Sequence, residues 1–142
     1  MSGSRRWSRG RIAAAVLLAA YLLFLGLILF NPSARLATDT VVSAYDVLVS
    51  LLGEQTWLTG KRVEFATNLA MFVPLGLLIP LVFPRLNWRD VTVTAFLISS
   101  GVEIYQGVLL PHRSAEFADV VANTLGCALG AVVLTPFLPR RH

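Results

Sequence analysis

Between Val102 and Phe137, a stretch apolar enough to lie in a bilayer carries Glu103, Gln106, Arg113, Glu116, Asp119 and Asn123, and an apolar run upstream carries Glu64 and Asn68. Carboxylates, carboxamides and a guanidinium in one apolar setting suit recognition of a polar headgroup. Arg113 would hold an anionic oxygen, while Glu103, Asp119 and the amides would hold hydroxyl or amine groups. The same set could support catalysis, with Glu103 or Asp119 as general base and Arg113 stabilising developing negative charge. No nucleophile elbow or Gly-rich phosphate loop accompanies it, and Ser99, Ser100 and Ser114 have no His at a motif spacing. His112 and His142 lack a partner at ligand spacing, so neither a metal nor a cofactor is expected. The lone Cys127 reads as a small packing residue.

The elements that position these groups are membrane helices. The chain has 142 residues, 56% hydrophobic and only 14% charged, with a mean hydropathy of +0.69, against about 25% charged in a soluble domain. The run Ile12 to Phe30 is close to the ~20 residues that cross the hydrocarbon core. A signal peptide has a shorter core of about 7 to 15 residues, and only a poor cleavage site, Pro32 to Ala34, follows this run, so it reads as an uncleaved anchor. Three more spans are expected at about 63–83, 91–110 and 117–138. Pro74 and Pro80 interrupt the first of these, and the missing amide of Pro74 frees the Ala70 carbonyl, which predicts a kink.

From Thr38 to Leu52 the spacing puts Val41, Tyr45, Leu48 and Leu52 on one helix face and Ser43, Asp46 and Ser50 on the other. Between two spans, such a helix is expected to lie in the membrane interface, with Trp57 at the same depth; a lid over a site is the alternative. Short connections at 84–90 and 111–116 make successive spans antiparallel. The expected fold is therefore all-α: a polytopic membrane protein, with residues 1–142 forming one domain of four transmembrane helices in a compact antiparallel bundle plus an outer interfacial amphipathic helix.

Charge sets the orientation. Arg5, Arg6, Arg9, Arg11, Arg85, Arg89, Arg140 and Arg141, eight of the twelve basic residues, fall on the side that holds both termini. The positive-inside rule assigns that side to the cytoplasm. Basic flanks facing an anionic leaflet account for the net charge of +4 without nucleic acid.

At about 1.5 Å per residue, Asn68, Glu103 and Asn123 then lie about 8, 10 and 9 Å in from the outer ends of their spans. Glu64 with Asn68, Ser99 with Glu103 and Gln106, and Asp119 with Asn123, Gly126 and Gly130 each share one helix face. One cluster in the outer half of the bundle follows. Asn68, Gln106 and Asn123 could equally serve as interhelical hydrogen-bond glue. The carboxylates argue for more, because a charge at the membrane centre costs roughly 2.5 to 3.5 kcal/mol. Gly126 and Gly130 continue the stripe as a surface for close helix approach.

Three segments carry a family resemblance: NLAMFVPLG from Asn68 to Gly76, EIYQ from Glu103 to Gln106, and RSAEFADVVANTLGCALG from Arg113 to Gly130. They resemble, in order and spacing, the signature segments of the VanZ-like proteins. Asn68, Phe72, Pro74, Gly76, Glu103, Gln106, Arg113, Asp119, Asn123 and Gly126 occupy the family positions, and Glu116 stands where aspartate is more usual. The resemblance covers Lys61 to Gly130 and implies a small bacterial integral membrane protein of the cytoplasmic membrane. The family's founding member is associated with resistance to the glycopeptide teicoplanin, and the family brings no biochemical mechanism with it. Two readings stay open: a site for an envelope lipid or lipid-linked glycan headgroup, or a scaffold whose cluster only packs the bundle and whose partner is another protein.

Overall fold

A computed structural model describes residues 7–31, 35–110 and 116–137, with side chains from 38 onward in the second segment. Five α-helices follow one another: α1 (Arg9–Leu29), α2 (Arg35–Leu52), α3 (Gly60–Val82), α4 (Trp88–Leu109) and α5 (Phe117–Leu134), the last ending in a 3-10 turn, Thr135–Phe137. Four of them, α1, α3, α4 and α5 with its final turn, are long and apolar enough to cross a membrane. The fold is the all-α polytopic bundle expected.

The starts of α1, α3 and α4 lie three residues outside the apolar runs, because polar caps set them. The Arg11 amide donates to the Ser8 hydroxyl at 3.3 Å and the Arg62 amide to Thr59 at 3.4 Å. At α4, Asn87 and Asp90 form a reciprocal capping box. Gly53, at φ 72°, ends α2 in the left-handed region while its amide donates to the Val49 carbonyl at 2.8 Å.

The centre of the bundle is the α3·α5 pair; α4 packs against α5, α1 against α3, and α2 lies along α3. Glycines make the central pair close. A Cβ on Gly126 would overlap the Leu69 carbonyl oxygen, one on Gly130 that of Val73, and one on Gly76 that of Cys127. Membrane helices gain nothing from the hydrophobic effect when they associate, so such close backbone packing is a principal source of their stability.

α3 continues as one helix through Pro74 and Pro80. Around Pro74, neighbouring helices supply donors to its carbonyls: the Tyr21 hydroxyl bonds Met71 O at 2.6 Å, and the Cys127 thiol bonds Phe72 O at 3.5 Å. These two bonds tie α1 and α5 to the turn of α3 that Pro74 weakens. At the end of the bundle where α1 begins and α3 ends, Arg11 Nε donates to the Val82 carbonyl at 2.9 Å, so α1 caps α3.

α2 departs from expectation in one respect. Val41, Ala44, Tyr45 and Leu48 form its half-buried face, but Leu52 is 48% exposed. It is the last residue before the Gly53 turn.

Candidate functional site

All five helices contribute to one cavity of about 50 Å³. α3 supplies Glu64, Thr67, Asn68, Met71 and Phe72; α4 supplies Glu103 and Gln106; α5 supplies Asp119 and Asn123. Ile28 and Leu29 from the end of α1, and Thr40 and Val41 from α2, complete the wall. Five of the seven candidate binding residues named from the sequence, Asn68, Glu103, Gln106, Asp119 and Asn123, therefore meet in space. Glu116 does not line this cavity: its carboxylate turns to Lys61 at 3.4 Å, in an exposed ion pair. Arg113 lies outside the described residues.

Each amide bridges helices. Asn68 Nδ2 donates to Asp119 Oδ1 at 2.8 Å, tying α3 to α5. Asn123 Nδ2 donates to Ser99 Oγ at 2.9 Å, tying α5 to α4. Gln106 Nε2 donates to the Leu29 carbonyl at 2.8 Å, taking up a carbonyl in the last turn of α1, and the Phe30 and Tyr105 rings meet edge to face beside it with centroids 5.1 Å apart.

Glu103, only 6% exposed, has a role that sequence spacing did not show. Glu116 is the N-cap of α5 and makes no side-chain cap of its own. Its backbone amide instead donates to Glu103 Oε2 at 2.9 Å, so a carboxylate on α4 caps α5. Asp119 sits in the first turn of the same helix. Two acids thus lie at the positive end of α5, where the helix dipole favours them by about 0.3–1 kcal/mol each, rising to ~2 in partly buried geometry. Asn123 keeps one need open: it is 3% exposed, and its Oδ1 has no hydrogen-bond partner among the described residues.

The sequence reading also passed over Thr40, Val41, Thr67 and Met71. Thr67 and Met71 stand one residue before Asn68 and Phe72, on the adjoining stripe of α3, and helical spacing allows for them. Thr40 and Val41 gave no such signal, since an amphipathic pattern says that a face is apolar without saying what it covers. Among the described residues no group of three or more His, Cys, Asp or Glu is arranged to hold a metal ion.

The fold and the cavity define a class: a polytopic membrane protein with a polar, acid-bearing chamber at one end of a glycine-packed bundle. The VanZ/LLP1 family model matches residues 14–138, and the chain belongs to that family. The match takes in most of the first span and all of α2 as well as the three segments that carried the resemblance. No curated protein and no solved structure matches the chain.

Proposed function

We propose that the cavity binds the headgroup of an envelope lipid or lipid-linked glycan, and that the group entering it is a hydrogen-bond donor, a hydroxyl or an amine. The observation that carries this is the lining of one small chamber by Glu64, Glu103 and Asp119 together with Asn68, Gln106 and Asn123. These groups are mostly acceptors, and Asn123 Oδ1 lacks a donor among the described residues. An unmade buried hydrogen bond costs about 1–3 kcal/mol, which a ligand donor would offset. The volume restricts what enters. At roughly 10–15 Å³ for each water, about 50 Å³ takes a few water-sized groups, such as a hydroxymethyl or aminoethyl end, and leaves a sugar ring outside. Arg113, three residues before the α5 N-cap, takes the anionic oxygen in this reading.

A second reading has its own support, because every amide in the cluster already ties two helices together. A scaffold that docks another protein needs no more than that. It explains the amides better than the acids. Bringing a carboxylate into the membrane costs roughly 2.5–3.5 kcal/mol at the centre, and the α5 dipole offsets only part of that for each of two acids.

Native mass spectrometry of the gently solubilised full chain, with lipid identification, separates the readings. A headgroup-specific adduct that is lost in Glu103→Gln supports the site, whereas the same nonspecific lipids on both proteins support the scaffold. A link to glycopeptide resistance stands on the family association alone, and its test is the teicoplanin sensitivity of a deletion strain.

The site is assigned to the outward side of the bacterial cytoplasmic membrane, with both termini in the cytoplasm, from the eight-to-four distribution of basic residues. An impermeant thiol reagent on intact cells should label Gln55→Cys and leave Arg85→Cys unlabelled until the membrane is opened. Background labelling should be low, as Cys127 is buried. The reverse pattern would put the chamber on the cytoplasmic face.

A further inference from the structure

On α3, two neighbouring stripes differ in character. Glu64, Asn68 and Phe72 face the polar chamber, while Val63, Ala66 and Ala70 face an open groove of about 420 Å³ between α1, α2 and α3. Ala66 and Ala70, four residues apart on one face, and Ala44 opposite them on α2 leave this trough unfilled, with Tyr21 and Leu48 as its sides. Thr67 and Met71 border both spaces, so groove and chamber adjoin. α2 covers both from one face, with Val41 over the chamber and Ala44 and Leu48 over the groove.

The length of the groove is informative. From Val63 to Met71 the helix rises about 12 Å at 1.5 Å per residue, close to half of the ~30 Å hydrocarbon core, the depth of one leaflet. We infer that the groove holds an acyl chain of the same lipid whose headgroup donor enters the chamber, so that the ligand is a membrane-resident lipid bound at two points. This rests on the headgroup reading and adds to it the class of molecule. An acyl chain gains no hydrophobic free energy by leaving other chains for a protein groove. The groove therefore selects by shape and by its fixed position beside the chamber.

The test uses the full chain in mixed micelles with phosphatidylethanolamine and phosphatidylglycerol, which present an amine and a hydroxyl headgroup, read by native mass spectrometry. Ala66→Trp fills the groove without touching the acids and should lower lipid retention about tenfold, equivalent to 1.4 kcal/mol. Val93→Trp, on an exposed part of α4, should retain lipid like the parent. If Glu103→Gln loses the lipid while a folded Ala66→Trp keeps it, the groove assignment is overturned and the headgroup reading survives. If the parent retains neither lipid above the level of Glu103→Gln, both fall. A measurement on the unmutated chain removes any dependence on folding of the tryptophan variant. Phosphatidylethanolamine with a diazirine-bearing chain should crosslink to peptides containing Ala44, Ala66 or Ala70, and crosslinks spread evenly over the lipid-facing sides of α1 and α4 would overturn the proposal.

Discussion

Gly126→Leu should strongly destabilise the bundle. A Cβ at that position would overlap the Leu69 carbonyl oxygen and lie 3.0 Å from Phe72 Cβ. The obstacle at Leu69 is backbone, which no rotamer change relieves. Overpacking typically costs about 1–3 kcal/mol and occasionally more, and a clash with the main chain belongs at the upper end. Gly126→Ala should already destabilise, because the overlap begins at Cβ. Gly101→Ala provides the contrast: nothing lies within 4 Å of its added carbon, and the better helix propensity of alanine, worth up to about 1 kcal/mol, should leave it neutral or slightly stabilised. Thermal unfolding and folded yield in detergent are the measurements. If Gly126→Leu melts like the parent, α3 and α5 do not approach as described.

Much of this architecture was legible because a membrane imposes few alternatives. Run length gave the four spans, and a helical period with polar residues at matching depths placed Asn68, Glu103 and Asn123 at one level. The same period extended the α5 stripe to Gly126 and Gly130, which pack on α3. What was not legible depends on contacts between segments distant in sequence. Hydropathy cannot show that Glu103 caps α5, because the bond runs from the side chain of one helix to the backbone of another across a loop. It likewise cannot show that Gln106 takes a carbonyl at the end of α1. The sequence pattern groups Glu116 with the site, but its side chain faces Lys61, where water screens the pair. The periodicity of α2 predicts an interfacial helix, with a lid as the alternative. Its Thr40 and Val41 do form part of the chamber wall, a contact that its own periodicity leaves undetermined.

The pair Asn68 and Asp119 distinguishes a binding site from structural glue. Arg113 lies outside the described residues, and the contact that joins Asp119 to α3 is the 2.8 Å bond from Asn68 Nδ2 to Asp119 Oδ1. A hydrogen bond to a charged group contributes about 1.5–3 kcal/mol. Removing one partner from a buried ionic contact can cost roughly 3–5 kcal/mol, since the remaining charge keeps its desolvation penalty. Both residues are half-buried, so the lower range applies. Asn68→Leu should therefore destabilise by roughly 1.5–3 kcal/mol, because the Asp119 carboxylate keeps its charge and loses its α3 donor. Asp119→Leu should destabilise as well, leaving the Asn68 amide without its acceptor. The double variant replaces both polar groups by apolar side chains of similar volume and should recover most of the stability. Lipid retention should not recover with it, because a ligand donor needs the carboxylate itself, whereas the bundle needs only a filled interface. If the double variant regains headgroup-specific lipid as well as stability, the pair serves packing alone, and the scaffold becomes the better account of the chamber.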